Sequence, residues 1–383
     1  MSARILILTA GFGEGHNAAA RALAEAFEED CPGSAVIVDI FAQASPRLNA
    51  FLRRGYITAI NRTPRLWNRA YRWMDRPAFM AGAQRLLHRE LRELAKVIEL
   101  IKPEAVCSTF PAYASLVGQL SRAGRYKGPH FNIVTDSISV HSSWWRAGCD
   151  GWFVPNEDTA IVLRDAGLDA SSLHVCGFPV TLAFANGEAE APRPDPGEGS
   201  VPRILYIINS GSRHAEATAR LLLAEPGWEV TCTVGRDDSL RRVLDPLTLN
   251  RAPRASIFGW TDQIPQLLMT HHVVVSKAGG ATTQEAIAAR CPMIVNQVVP
   301  GQEEGNYELL RRHQIGAFAA TPEAVLAELR AAFAGRAERW YAWRAAVEPL
   351  ARPSAARVIA AHVRGFTQPP ARNSAQGFAL QIP

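Results

Sequence analysis

Residues 273–306, VVVSKAGGATTQEAIAARCPMIVNQVVPGQEEGN, contain the pattern from which the fold of the chain can be predicted. Three β-branched residues at 273–275 are typical of a buried strand. A turn of small residues follows at 277–280, and helix-forming residues extend from 282 to 290 before Pro292 ends them. A second apolar strand follows at 293–295. This order predicts a parallel β-α-β unit of an α/β fold, whose helix N-terminus can face an anion.

A second polar loop, at 300–306, follows the next strand of this unit. It is therefore expected at the same carboxyl edge of the sheet, where open α/β sheets bind ligands. The pair Gly279 and Gly280 lets the backbone approach a ligand closely, although such a pair alone is more often an ordinary tight turn. The amide of Gln302 and the carboxylate of Glu303 suit a ligand that carries hydroxyl groups as well as phosphate. A nucleotide sugar has both.

The segment resembles the donor-binding signature of family 28 glycosyltransferases. The letters KAGG-T--EA, PMI and PGQE--N are most similar to the monogalactosyldiacylglycerol synthases and the processive diacylglycerol glucosyltransferases. The resemblance covers roughly residues 4–365. It implies a GT-B architecture, in which two doubly wound, Rossmann-like α/β domains face each other across a cleft. It also implies an inverting enzyme that moves galactose or glucose from a UDP-sugar to the hydroxyl of diacylglycerol.

The size and composition of the chain agree with this architecture. Its 383 residues are enough for two domains, and 48% of them are hydrophobic. No apolar run is long enough to span a membrane, and the first strand begins without a signal peptide, so a cytoplasmic protein peripheral to the membrane is expected. Six cysteines are scattered singly, which predicts neither a zinc site nor a disulfide framework. No metal or other cofactor is expected.

A glycine-rich turn near the start of the chain follows an apolar strand at 5–8. Gly11, Gly13 and Gly15 precede His16 and an alanine-rich helix at 17–29. The spacing differs from the dinucleotide fingerprint G-x-G-x-x-G, and a glycine-rich turn alone is a weak signal. In the family that the chain resembles, this histidine lies beside the donor phosphate and the acceptor hydroxyl. His16 is therefore the first candidate for the general base, or for a group that orients the phosphate.

A polar run, TDSISVHSSWW at 135–145, follows a predicted strand at 131–134. Its pattern TD----H--W matches the glycolipid synthases, whereas the related enzyme that completes the peptidoglycan lipid precursor lacks it. Asp136 and His141 follow the strand end, a favoured place for chemistry in α/β folds. Asp136, alone or together with His141, is the second candidate for the base. The alternative is a capping aspartate and an ordinary loop histidine.

Residues 46–92 contain eleven arginines but only two acidic residues, with tryptophan and tyrosine interspersed. A solvated helical face around core aromatics is one interpretation, and nucleic-acid binding is another. No nucleic-acid-binding signature supports the second, so no nucleic-acid partner is expected. Contact with an anionic bilayer is favoured, because arginines meet headgroups while aromatic rings lie at the interface. The residues assigned to this contact are Arg53, Arg54, Trp67, Arg69, Arg72 and Trp73.

The domain boundaries follow from a segment at 186–202 that contains four prolines and is predicted to be a linker. It separates an acceptor-side domain at 1–185 from a UDP-sugar-binding domain at 203–351. A helix at 352–366 is expected to return to the first domain, and 367–383 to form a disordered tail.

The donor site is expected at the strand ends of the second domain, beside the first glycine turn. Glu285 is assigned to the ribose hydroxyls, and Gln302 with Glu303 to the sugar. No Asp-x-Asp motif is placed to hold a metal ion, so helix N-termini are expected to stabilise the leaving diphosphate. The donor-binding residues are predicted to be Gly15, Ser210, Gly211, Ser212, Gly259, Trp260, Lys277, Ala278, Gly279, Gly280, Thr282, Glu285, Gln302, Glu303 and Asn306.

Two other classes of function remain open at this stage. One is a different GT-B enzyme, such as a UDP-N-acetylglucosamine 2-epimerase or a peptidoglycan-precursor transferase. The other is a membrane-associated binding protein that keeps the fold without catalysis. The joint presence of His16, Asp136, Glu285 and Gln302 favours an active enzyme.

Overall fold

The first half of the chain forms a parallel six-stranded sheet with strand order β2-β1-β3-β4-β5-β6. The computed structural model describes residues 4–62, 87–187, 193–209, 212–249, 251, 254–301 and 303–367. The strands of this sheet are β1 (Ile5–Leu8), β2 (Ala35–Val38), β3 (Ala105–Ser108), β4 (His130–Ile133), β5 (Gly151–Val154) and β6 (Leu173–Val175). Its helices are α1 (Glu14–Asp30), α2 (Ile40–Ala44), α3 (Pro46–Arg62), α4 (His88–Ile101), α5 (Ala112–Arg122), α6 (Glu157–Asp165) and α7 (Ala183–Asn186).

The second half repeats the plan in another parallel six-stranded sheet, with strand order β12-β11-β10-β7-β8-β9. Its strands are β7 (Arg203–Ile207), β8 (Glu229–Thr233), β9 (Ala255–Phe258), β10 (Val273–Lys277), β11 (Met293–Gln297) and β12 (Gly316–Phe318). The helices are α8 (Ala215–Ala224), α9 (Asp238–Thr248), α10 (Ile264–Thr270), α11 (Gly280–Ala288), α12 (Glu304–Arg312), α13 (Pro322–Ala332), α14 (Glu338–Val347) and α15 (Ala355–Thr367).

The apolar strands are buried on both faces, as parallel sheets require. In β1, Ile5 and Ile7 belong to one hydrophobic core, whereas Leu6 belongs to the core on the opposite face. In β10, Val273 and Val274 likewise point into different cores. Each sheet is thus covered by helices on both sides, which leaves the strand ends as the accessible edge.

Helix α15, the last helix of the chain, packs on the first domain. Ile359 and Val363 lie in the same hydrophobic core as Leu23 of α1. Arg357 adds a bidentate ion pair with Glu29, with N–O distances of 2.6 and 2.7 Å. The chain therefore crosses between the two sheets twice, once at the proline-rich segment and once before α15.

The described part of the proline-rich segment is held against the second domain. The Arg193 guanidinium is largely buried and donates hydrogen bonds to the backbone carbonyls of Leu268, His271, Ala289 and Arg290, at 2.6–3.1 Å. These carbonyls lie at the ends of α10 and α11, where helices leave acceptors unpaired. Residues 188–192 and 368–383 lie outside the described residues.

Most strand boundaries agree with the sequence-based predictions to within one or two residues, but two helices begin earlier. The first begins at Glu14 rather than at residue 17, so His16 lies inside its first turn. The helix predicted at 282–290 begins at Gly280. In both cases a glycine occupies the extended N-cap position, at Gly13 and Gly279, and the helix starts directly after it. Both helix starts consequently lie closer to the strand ends than predicted.

Candidate active site

A cleft of about 2050 Å³ lies between the carboxyl edges of the two sheets. In the first domain it is lined by loops that follow β1, β3 and β4. In the second domain the lining comes from loops after β7, β8, β9, β10 and β11. Two parallel sheets that present their carboxyl edges to one cleft form a site in the position where open α/β folds bind ligands.

The N-termini of α1 and α11 meet in this cleft. The approach is close, because a Cβ atom at Gly15 would lie 3.7 Å from the backbone nitrogen of Ala281. Neither N-cap residue, Gly13 or Gly279, supplies a side-chain cap to its helix. The first N–H groups of both helices and the positive ends of their dipoles thus face the same space, which suits an anion such as a diphosphate.

His16 is held by its Nδ1 atom, which lies 2.7 Å from the carbonyl oxygen of Thr109 and 2.9 Å from Oγ1 of Thr135. Since a carbonyl oxygen can only accept, Nδ1 carries the proton and Nε2 keeps a lone pair. Nε2 lies on the side of Gly13, a residue that lines the cleft. Burial lowers the pKa of His16 to about 4, so the ring is neutral near pH 7.

Asp136 lies directly beyond β4 and lines the cleft. The indole Nε1–H of Trp144 donates to Oδ2 of Asp136 at 2.7 Å. Burial nevertheless raises the pKa of Asp136 to about 6. The Trp144 ring also lies 6.3 Å from the ring of His16, so the two candidate bases share one wall of the cleft. A carboxyl group with a pKa near the working pH is suited to accept a proton.

His141 presents the opposite tautomer to that of His16. Its Nδ1 accepts the backbone N–H of Ser143 at 3.3 Å and lies 2.7 Å from the Ser143 hydroxyl oxygen. Because a backbone N–H can only donate, the neutral ring carries its proton on Nε2. His141 thus lines the cleft with its proton on Nε2, and its assignment beside Asp136 stays a prediction.

On the second domain, the Nζ of Lys277 forms an ion pair with Oε1 of Glu303 at 2.7 Å. The other carboxylate oxygen of Glu303 accepts the backbone N–H of Val299 at 2.9 Å. Glu303 is 6% exposed, and the pair ties the end of β10 to the loop after β11. Both oxygens of Glu303 thus have partners within the chain, and its assignment to the sugar stays a prediction.

Asn306 leaves an acceptor unpaired beside this ion pair. Its Nδ2 donates to the carbonyl oxygen of Ala278 at 3.1 Å. Its Oδ1 is buried and has no hydrogen-bond partner among the described residues. A buried acceptor without a partner is costly, and Asn306 also belongs to the lining of the cleft.

Glu285 faces the cleft from the second turn of α11, opposite α1. Burial raises its pKa to about 7, while Arg21 of α1 acts in the opposite direction. Arg21 itself pairs with Glu14 at 2.5 Å. Glu285 is therefore a carboxyl group near the meeting point of the two helix N-termini, and it can accept hydrogen bonds from ligand hydroxyls.

The structure brings most of the sequence-predicted residues together. Ala278 is an exception because it is fully buried and contributes only its carbonyl, and Ser212 does not line the cleft. Ser210, Gly211 and Gln302 lie outside the described residues. The predicted residues that do line the cleft are Gly15, His16, Asp136, His141, Gly259, Trp260, Lys277, Gly279, Gly280, Thr282, Glu285, Glu303 and Asn306.

An aromatic wall lines the first-domain side of the cleft, and sequence reasoning missed it. The rings of Phe12 and Phe110, which line the cleft, lie 5.7 Å apart, Phe41 packs on both at 5.6–6.2 Å, and Phe110 contacts the ring of His16 at 5.1 Å. Phe51 of α3 also lines the cleft and is 73% exposed. These residues are far apart in sequence, so no local pattern marks them. Trp144 was visible in the TD----H--W pattern but had no assigned role.

The residues assigned to membrane contact are only partly described. Arg54 is exposed on α3, where Leu48 and Phe51 are exposed as well. Trp67, Arg69, Arg72, Trp73 and the side chain of Arg53 lie outside the described residues. In the part of the chain that the structure describes, no helix has the length and apolar character needed to cross a membrane.

The described residues also contain no cluster of three histidine, cysteine, aspartate or glutamate side chains arranged to hold a metal ion. Asp237, which precedes another acidic residue, caps α9 by accepting the backbone N–H of Leu240 at 3.0 Å. This aspartate pair is therefore part of a helix start rather than a cleft-lining carboxylate pair.

The two facing sheets and the cleft between their carboxyl edges define the GT-B class, as predicted. The fold is shared with a UDP-glucosyltransferase from Polygonum tinctorium that glucosylates indoxyl (TM-score 0.61, 12% identity, 95% of this chain and 99% of that one). The calicheamicin glycosyltransferase CalG4 gives a TM-score of 0.61 at 13% identity, covering 96% and 100%. A UDP-GlcNAc 2-epimerase from Neisseria meningitidis also matches, with a TM-score of 0.56 at 13% identity, covering 94% and 100%.

Within that class, residues 16–180 match the family model of monogalactosyldiacylglycerol (MGDG) synthase. The chain is also 24% identical over 307 residues to a processive diacylglycerol beta-glucosyltransferase of Bacillus cytotoxicus, covering 79% of this chain and 78% of the relative. A Bacillus cereus enzyme of the same name gives 24% over 309 residues with the same coverage. The resemblance to this branch, predicted from the sequence, is confirmed.

Proposed function

We propose that this chain is an inverting glycosyltransferase that moves galactose or glucose from a UDP-sugar to the hydroxyl of diacylglycerol. One observation carries the proposal: in a single cleft, the joined N-termini of α1 and α11 lie together with Asp136 and an aromatic wall. The first feature suits the diphosphate of a nucleotide sugar. The second suits a lipid that carries one reactive hydroxyl. The similarity to diacylglycerol glucosyltransferases supports the same conclusion.

The donor occupies the second-domain side of the cleft. Its diphosphate lies at the start of α11, where Gly279 and Gly280 leave room for the phosphate oxygens. Glu285 holds the ribose hydroxyls, and the unpaired Oδ1 of Asn306 accepts a hydroxyl from the sugar. Trp260, which is 69% exposed at the end of the cleft, is available to contact the uracil.

The reaction is a single displacement at the anomeric carbon. The acceptor oxygen forms a bond to that carbon on the face opposite UDP, the C–O bond to the diphosphate breaks, and UDP leaves with the electron pair. The acceptor hydroxyl gives its proton to the base. The positive ends of α1 and α11 stabilise the charge that develops on the leaving diphosphate.

Asp136 is the better base, which reverses the order of the candidates from the sequence. Catalysis by a general base is most effective when its pKa lies near the working pH. The pKa of Asp136, about 6, is closer to neutrality than that of His16, about 4. His16 then orients the acceptor hydroxyl through its Nε2 lone pair, and Trp144 fixes the carboxylate through Oδ2.

The aromatic wall favours a lipid acceptor over a soluble sugar. Phe12 and Phe110 lie beside His16, and Phe51 extends the apolar lining along α3. Covering exposed apolar side chains with acyl chains is favourable by about 25 cal/mol for each Å² of apolar surface removed from water. The hydroxyl of diacylglycerol can thereby reach Asp136 while its chains lie toward α3.

The direct test is transfer of radiolabelled galactose or glucose from UDP to diacylglycerol vesicles. We expect label in the chloroform phase with one of the two donors, and none with the Asp136→Asn variant. Label that remains in water with both donors would contradict the proposal. A parallel incubation with UDP-N-acetylglucosamine, followed by analysis for its C2 epimer, tests the alternative enzyme class.

We also propose that residues 46–92 dock on an anionic membrane surface. The arginine excess in the sequence and the exposed Leu48, Phe51 and Arg54 of α3 support this placement. Each arginine near such a surface contributes about 1 kcal/mol, and salt screens the attraction over about 8 Å at physiological ionic strength. Docking there would bring the aromatic wall to the bilayer.

Replacing Arg53, Arg54, Arg69 and Arg72 by glutamate should abolish sedimentation with phosphatidylglycerol vesicles at low salt. Turnover of a detergent-dispersed acceptor should be largely kept. A matched variant with glutamate at the exposed Arg220, Arg242, Arg311 and Arg330 of the second domain controls for the change in net charge. Equal vesicle binding by the first variant and the wild type would show that this patch is only a solvated face.

A further inference from the structure

Residues 137–139, which directly follow Asp136, leave the first domain and lie against the second. The contact is between backbones, because Gly305 of α12 faces this segment without a side chain between them. A Cβ atom at Gly305 would overlap the carbonyl oxygen of Ser137 and would lie 2.6 Å from the backbone nitrogen of Ser139. Only glycine fits at position 305 unless one of the two backbones moves.

Ile138, at the centre of this segment, has an unusual backbone conformation. Its φ is 56°, and among the described residues with positive φ it is the only β-branched one. The N–H of Ser139 donates to the carbonyl oxygen of Ser137 at 2.5 Å, which closes a tight turn across Ile138. Such a conformation costs free energy in a β-branched residue and persists only when surrounding contacts impose it.

The contacts that impose it come from both domains. The side chain of Ile138 packs against the core cluster that contains Ile287 of α11 and Leu309 of α12. The amide of Gln284, also on α11, donates to the Ser137 hydroxyl at 2.9 Å, and both residues are buried. The first domain adds two bonds, one from the N–H of Ile138 to Thr159 Oγ1 at 3.1 Å and one from Nδ2 of Asn156 to the Ser137 hydroxyl at 3.4 Å.

A second contact between the same parts of the molecule lies farther along α12. Asp158, on α6 of the first domain, lies 3.2 Å from a guanidinium nitrogen of Arg312 and 2.7 Å from Nε2 of His313. The two domains thus touch along α12, and residues 137–139 form the part of that contact that is nearest to the cleft.

The two helices that hold residues 137–139 also carry the donor-side groups. Gln284 precedes Glu285 on α11, and Gly305 precedes Asn306 on α12. On each helix one residue faces Ser137 while the next faces the cleft. The position of the donor-binding helices and the position of the loop after Asp136 are therefore mechanically linked.

We propose that Ile138 and Gly305 are positioning residues: the donor-binding helices α11 and α12 grip residues 137–139 and thereby set Asp136 in its reactive place. The inference rests on the proposed function, in which Asp136 is the base. The predicted consequence can be measured in the kinetics. Loss of the grip should reduce the chemical step more than it weakens UDP binding, because Glu285 and the start of α11, which are assigned to the donor, belong to the second domain.

The first test is Gly305→Ala, which pushes the two backbones apart. A displacement of about 1 Å at a reacting group can cost about a hundredfold in rate. We expect kcat at saturating donor and acceptor to fall by about that factor, while the Kd of UDP measured by calorimetry stays unchanged. Gly365→Ala on α15 is the matched control, since a Cβ at that position meets nothing within 4 Å.

The second test separates the grip of Ile138 from its backbone strain. Ile138→Asn suits a positive φ but removes the apolar side chain, whereas Ile138→Val keeps a β-branched side chain that still packs on Ile287. The asparagine variant should have a lower kcat than the wild type, whereas the valine variant should retain most of the wild-type kcat. This pair keeps the proposal testable even where Gly305→Ala does not fold.

The proposal is overturned if Ile138→Asn retains the wild-type kcat, or if Gly305→Ala weakens UDP binding as much as it lowers kcat. These outcomes are distinct from a failure of the proposed function. That failure would appear in the wild type, as an absence of hexose transfer to diacylglycerol. The grip could then still be measured as the ratio of variant to wild-type turnover on whichever acceptor the wild type uses.

Discussion

The two sides of the cleft present different kinds of chemical groups. The first-domain side presents titratable side chains whose pKa values burial shifts, downward for His16 and upward for Asp136. The second-domain side presents backbone N–H groups at the start of α11 and the Lys277–Glu303 ion pair. One side is equipped to move a proton, and the other is equipped to hold charge and hydroxyl groups.

This difference implies a division of kinetic roles. Changes on the first-domain side should act mainly on kcat, because proton transfer occurs in the transition state. Changes to the second-domain groups assigned to the donor should act mainly on the donor KM, because those contacts exist before the reaction begins. Glu285 tests the division most sharply, since it is a second-domain carboxyl whose raised pKa resembles that of Asp136.

The largest effect is expected from Asp136→Asn, which keeps the shape of the side chain but removes the base. We expect kcat to fall by about 10²–10⁴, the usual contribution of a general base. UDP affinity, measured by calorimetry, should be unchanged. His16→Ala should cause a smaller loss, because it removes an orienting group. The reverse order, with His16→Ala inactive and Asp136→Asn near normal, would exchange the two roles.

The sequence predicted the strand, turn and helix that form this site better than it predicted which distant side chains meet there. Gly279, Gly280 and Glu285 were placed correctly at the cleft because a strand, a glycine turn and a helix start form a local pattern. The aromatic wall could not be predicted, since Phe12, Phe41 and Phe110 come together only through the order of the strands. Local periodicity carries no information on which loops meet.

The choice between the two candidate bases also depended on the tertiary structure. Histidine is ordinarily the better base near pH 7, and the sequence therefore ranked His16 first. Burial disfavours the charged form of both groups, and on this ground the proposed mechanism assigns the role of base to Asp136. Burial lowers the pKa of His16 and raises that of Asp136. The depth of a side chain in a folded cleft cannot be read from its neighbours in sequence.

The next largest effect is expected from Glu285→Ala, which should raise the donor KM with a smaller change in kcat. A hydrogen bond to a charged group contributes about 1.5–3 kcal/mol, or roughly 10–150-fold in affinity. Calorimetry of UDP binding measures this loss directly. Unchanged UDP affinity would contradict the assignment to the ribose, and a selective loss of kcat would contradict the division between the two sides.

A smaller effect on kcat is expected when the pH is lowered, and the pH profile of kcat distinguishes the candidate bases without mutation. The base must be unprotonated, so kcat should fall as pH drops through the pKa of the base. With Asp136 as base, the decline begins near pH 6 and approaches tenfold per pH unit below it. With His16 as base, kcat would stay level down to about pH 4. Saturating donor is needed, because Glu285, with a pKa of about 7, titrates in the same range.

The smallest effect is expected from removal of metal ions, which should leave kcat and the donor KM unchanged. In the proposed mechanism the negative charge of the leaving diphosphate is met by the N-termini of α1 and α11, which are fixed parts of the fold. Carboxylates that hold Mg²⁺ on a diphosphate would have to line the cleft, and Asp237 instead caps α9. The measurement is turnover in excess EDTA, with a metal-dependent transferase in the same buffer as a check on chelation. Complete loss of activity, restored by Mn²⁺ or Mg²⁺, would show that the two helix N-termini do not stabilise the diphosphate alone.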